Sequence, residues 1–134
     1  MQIKTSELRD AALDWAVGFA QCMEATGGKP IQARDLMAAA VRNGIASYST
    51  DWSQAGPIIE RESIDIQKGN PLYFPKGNEH GDYYEPLWIA GGKHGRTPLE
   101  AAMRCYVARK LGNEVDVPDE LLTLDGDDDE KANG

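Results

Sequence analysis

Helical periodicity governs both ends of this 134-residue chain and disappears between residues 45 and 96. That partition limits the possible folds most, because a 3.6-residue period and a two-residue period cannot share one element. At the N-terminal end, Leu8, Ala12, Trp15, Phe19 and Met23 recur at helical spacing. Thr5 or Ser6 is the candidate cap, and Gly27-Gly28 stops the run. A shorter helix is expected over 32–43, where Ala, Leu and Met dominate before Asn43-Gly44. The best-marked helix begins at Thr97-Pro98-Leu99-Glu100, a capping box with Pro in its first turn. Leu99, Ala102, Met103, Tyr106, Val107 and Leu111 form its apolar stripe, and Gly112 ends it.

In the middle segment, Gly56-Pro57 reads as a turn into a strand running from Ile58 to Ile66. Tyr83 to Ala90 is its natural antiparallel partner, with Pro86 favouring an edge or a bulge. A polar loop holding the apolar island Leu72-Tyr73-Phe74 joins them, and Val115 to Val117 reads as a short extended piece. The expected fold is therefore α+β: N- and C-terminal helices packed on a small antiparallel sheet of about three strands. Residues 1–124 are expected to form a single domain, with 125–134 a disordered acidic tail.

Charge is unevenly placed. Of the net −8, residues 1–113 contribute nothing, with 13 acidic and 13 basic side chains. Residues 114–134 carry nine acids and one base, Lys131. A neutral body with an acidic arm argues against binding the nucleic-acid backbone, which needs a basic footprint. No apolar run approaches the ~18 residues that span a bilayer. The N-terminus lacks a secretion-signal profile, so the expected location is the cytoplasm. Cys22 and Cys105 sit inside helical patterns without Cys or His partners at ligand spacing, which predicts two plain thiols and no metal or other cofactor.

Catalytic motifs are sparse. His80 and His94 lie among glycines with no nucleophile motif beside them, and Gly-x-Ser-x-Gly is absent. Gly91 to Thr97 lacks the spacing of a phosphate loop, although Lys93 and Arg96 before a helix start suit an anion. Asp125 to Glu130 begins like a calcium loop but has Glu130 where the turn glycine belongs.

The densest cluster of recognition chemistry is Tyr48 to Arg61, with a Tyr, two hydroxyls, a carboxylate and a Trp in its first five residues. Its architectural reading has Trp52 plugging the core and Asp51 capping a turn. Its functional reading, on an antiparallel hairpin, has Tyr48, Asp51, Trp52, Arg61, Lys93 and Arg96 around one cleft, with Arg104 nearby. A non-catalytic binding module is then expected, acting on a host protein or a small-molecule ligand, with or without homo-oligomerisation. An aromatic-lined clamp with arginines suits nucleotides, which makes a scavenger of host nucleotide signals one version. The competing enzyme would be a small hydrolase or transferase with Asp51 or Glu60 as base.

The segments Lys4-Thr-Ser-Glu-Leu8, Ala12-Leu-Asp-Trp-Ala-Val17, Tyr48-Ser-Thr-Asp-Trp52, Gly56-Pro-Ile-Ile-Glu-Arg-Glu62 and Thr97 to Val107 together resemble one family. With Glu114-Val-Asp-Val-Pro118, they look like the NinX-like family of small phage and prophage proteins. The resemblance covers most of residues 3 to 122, least well at Leu72 to Asp82 and in the tail. It implies expression inside a bacterial host, but carries no catalytic residues and no defined activity.

Overall fold

In the computed structural model, which describes residues 1–27, 33–74 and 83–124, helix α1 spans Asp10–Thr26. Its start differs from the sequence expectation. Thr5–Glu7 make a 3-10 turn, and the N-cap is Arg9, with no side-chain cap bond. Thr5 is fully buried and its hydroxyl donates to the Gly112 carbonyl at 2.6 Å, a partner distant in sequence. Ala12, Leu13, Trp15, Ala16, Val17 and Ala20 are all buried, so α1 is enclosed well beyond a single stripe. Trp15 stacks on Phe19 with ring centroids 4.7 Å apart, and its indole N–H donates to the Arg34 carbonyl at 3.1 Å.

Arg34 belongs to α2 (Ala33–Arg42), the short helix expected over 32–43. It crosses α1 at Gly18, where the Met37 thioether fills the space that a Cβ would need. A residue that weakens the helix by itself here permits the helix–helix contact.

Residues 52–61 form a third helix, α3 (Trp52–Arg61), where a turn and strand are expected from sequence. Asp51 caps it, and Ala55 and Ile58, three residues apart, bury one face. Pro57 sits inside the helix, and Gly56 before it has no Cβ to collide with the ring. The strand begins later, at β2 (Ile66–Lys68).

β3 (Leu72–Phe74) is the apolar island, and it pairs antiparallel with β4 (Tyr83–Glu85). The expected long partner strand is broken at Pro86: β4 serves β3, while β5 (Trp88–Ala90) pairs with β2, Ile66 opposite Ala90. The antiparallel pairing is therefore the expected one, shifted towards the C-terminal end of its first strand. Gly91 and Gly92, with φ of 54° and 83°, make the tight turn from β5 into β6 (Lys93–Gly95), completing the three-stranded sheet β2-β5-β6.

Helix α4 (Pro98–Leu111) lies on that sheet and against α1 and α3. Thr97 caps it as the sequence predicts, and its buried residues, Leu99 to Met103 and Cys105 to Val107, again exceed one stripe. A second ribbon pairs β1 (Gln2–Lys4) with β7 (Glu114–Asp116), Ile3 opposite Val115, before a 3-10 segment over Asp119–Leu124. The architecture is α+β, as expected. The tail 125–134 and the loop carrying His80 lie outside the described residues.

Candidate functional site

The six residues assigned to one cleft from sequence take up separate stations. Tyr48 is half-buried against the core, and Trp52 is 54% exposed at the start of α3 instead of plugging the core. Asp51 is spent as a cap: it accepts from the Ser53 amide at 2.9 Å, the Ser53 hydroxyl at 2.7 Å and the Gln54 amide side chain at 3.2 Å. The Ser53 hydroxyl and amide hold its carboxyl below the ordinary value of 3.8. Arg61 ends the same helix, so its Cα lies about 13 Å along the axis from that of Trp52.

Arg61 joins a charge network on α1 and α4. It lies 3.8 Å from Glu24 and 3.4 Å from Glu62, while Lys110 reaches Glu24 at 2.6 Å and Glu62 at 3.4 Å. The Tyr106 hydroxyl donates to Glu24 at 2.8 Å. Lys110 first, then Tyr106, hold the Glu24 carboxyl below its ordinary value. Burial first, then Glu24, raises the Tyr106 phenol. Lys93 lines a separate shallow cleft with Lys4, Ser6, Asn113 and Glu114.

Arg96 does line a site with other functional groups. A cleft of about 230 Å³ opens between the start of α1, the β4–β5 link, β6 and the first turns of α4. Arg9, Arg96 and Arg104 converge on it with His94, and Glu85 and Glu100 provide its carboxylates. Leu72, Pro86 and Leu87 supply apolar wall. The deepest cation is Arg104, whose side chain is 12% exposed. Its Nε donates to the Leu8 carbonyl at 2.7 Å and one terminal nitrogen to the His94 carbonyl at 2.9 Å. The other terminal nitrogen lies 3.7 Å from Glu100. A guanidinium held at three corners loses little rotamer freedom when a ligand arrives.

Glu100 organises this end of the cleft. The capping box is offset by one residue: Thr97 Oγ1 accepts from the Glu100 amide at 3.0 Å, while the Glu100 carboxylate accepts from the Arg96 amide at 2.7 Å. The Arg96 guanidinium donates to the same carboxylate at 3.3 Å. Burial by itself would raise the Glu100 carboxyl, but the Arg96 bonds and the Arg104 charge outweigh it and leave the pKa below the ordinary value. Glu100 thus occupies the helix start that an anion could have used. Any anion-binding capacity rests on the arginines instead.

Three guanidiniums against two carboxylates leave the cleft cationic in a body without net charge. Arg9 carries no local signal of a role in its sequence surroundings. It enters the cleft because α1 starts beside α4, a tertiary fact that the Leu8–Arg104 bond fixes. His94 is likewise set there by the β5–β6 turn.

Among the described residues, no group of three His, Cys, Asp or Glu side chains is placed to hold a metal ion. Cys22 and Cys105 are free thiols, the first half-buried and the second buried. Among the described residues no helix is long and apolar enough to cross a membrane. No curated protein matches the chain. Residues 4–110 match the family model described as "Bacteriophage P22, NinX".

Proposed function

The chain belongs to the NinX family of bacteriophage proteins, and from that premise we propose that it is a non-catalytic binding module that captures a small anionic ligand in the arginine cleft. It works for the phage in the cytoplasm of the bacterial host. The observation that carries this reading is Arg104, a cation held rigid in a cleft that Arg9 and Arg96 also line. Planar, pre-oriented guanidiniums suit phosphate and carboxylate oxygens. The apolar wall of Leu72, Pro86 and Leu87 gives the rest of such a ligand something to cover.

A phosphorylated nucleoside, free or cyclic, fits that chemistry, and removing such signals from the host is the version of this role that we favour. A catalytic role for Asp51 or Glu60 draws less support. A carboxylate working as a general base near neutral pH is usually shifted upwards, and Asp51 is shifted downwards by its capping bonds. Glu60 is exposed on α3.

The test is a thermal-shift screen of nucleotides, cyclic nucleotides and inorganic phosphate at low and moderate salt. Ligand at a hundredfold over Kd adds about 2.7 kcal/mol of stability. Arg9→Ala and Arg96→Ala should each abolish most of the shift, and added salt should weaken it. No response to any of these anions would sink the cleft reading and leave a host protein as the partner to seek.

A further inference from the structure

A second cleft, of about 350 Å³, lies between α1 and the loop that follows α2. Asp10 and Asp14, four residues apart at the start of α1, both line it. Ser47, Ser49 and Thr50 line it from the loop. Ala11, Val41 and Ala46 add apolar lining.

Two features there cost the free protein stability. Asp10 has φ of 53°, a left-handed backbone that a non-glycine residue adopts only against a penalty. Ser49 is 9% exposed, and its hydroxyl is buried without a hydrogen-bond partner. The amide of Ser49 donates to Asp14 Oδ1 at 2.7 Å. Strained backbone and orphaned buried polar groups concentrate where a fold is shaped for a ligand and not for its own stability.

The donor set says which ligand. The cleft carries two carboxylates, and the Arg42 guanidinium is engaged by Glu120. A bare divalent ion would want six or more oxygens, and among the described residues no three-acid group exists. An ammonium head has three donors, enough for two carboxylates and one hydroxyl. Its methylene stem would lie on Ala11, Val41 and Ala46. We infer that this cleft binds a small alkylammonium compound, its cationic head between Asp10 and Asp14 and bonded to the Ser49 hydroxyl. The site has the opposite charge preference to the arginine cleft.

Putrescine is a suitable probe, with 1,4-butanediol as the uncharged control, titrated into the full chain. Moderate salt screens the nine acids of residues 114–134. Backbone amide shifts in NMR spectra locate the binding. Putrescine, and not butanediol, should give saturable perturbations at Ser49 and Thr50. Asp10→Asn keeps a residue that tolerates the left-handed backbone and should weaken binding about tenfold. Ser49→Ala should also weaken binding, while leaving the free protein at least as thermostable because an unsatisfied hydroxyl has gone. Perturbations confined to 125–134, equal responses to both probes, or unaltered affinity in both Asp10→Asn and Ser49→Ala would overturn the assignment.

Discussion

Thr5 and Thr97 carry the same side chain and do different work. Thr97 accepts from the amide three residues on, as its sequence context announces. Thr5, in a similar context, donates instead to Gly112, a carbonyl at the far end of α4. Local spacing cannot distinguish the two, because the second depends on where α4 ends in space. Replacing Thr5 by the near-isosteric Val removes the donor and should cost about 1–3 kcal/mol, the usual penalty for a buried group left unpaired. A urea titration would show it as a lower midpoint at unchanged slope, and an unchanged midpoint would mean that water replaces the hydroxyl. The same contrast holds among the site residues. Arg96 is legible as an anion ligand from its place before a capped helix. Arg9 is not, since nothing near residue 9 says that α1 begins beside α4. Asp51 is legible only in its architectural role, as a cap.

At the level of elements, the helices at both ends can be read from spacing, and α4 from its cap as well, whereas α3 cannot. Gly56-Pro57 and the β-branched pair Ile58-Ile59 all point locally to a turn and a strand. What overrides them is a capped start at Asp51 and the burial of Ala55 and Ile58 on one helical face. Pro57 remains a misfit there, with no amide to give the Ser53 carbonyl. Pro57→Ala should restore that bond, partly offset by a more flexible unfolded chain, for a net gain of about 1 kcal/mol. A loss of stability on this substitution, followed by thermal unfolding, would show that the proline suits the backbone it occupies. The strand break at Pro86 is of the opposite kind, since a residue without an amide marks in advance where pairing must change.

Across the whole molecule, Glu24, Glu100 and Asp116 occupy three separate neighbourhoods and are all held below their ordinary values. A carboxyl whose pKa is depressed by folding stabilises fully above its unfolded pKa, and that contribution fades as pH falls through the folded pKa. Melting temperature should therefore hold between pH 7 and 5 and decline once pH passes below the ordinary Glu value of 4.5. Glu100→Gln should flatten part of that decline, and a profile indistinguishable from the parent's would remove Glu100 from the account. Which strands pair is less legible than where the terminal helices run, because pairing joins distant segments of chain. The widest such pairing sets β1 against β7, Ile3 beside Val115. During translation this makes the first strand wait for the last. At about 5–20 residues per second, roughly 5–20 s pass after Ile3 leaves the peptidyl-transferase centre before its partner is even made. Until then the nascent chain carries an open edge, so the ribosome, and not collapse, decides when this molecule closes.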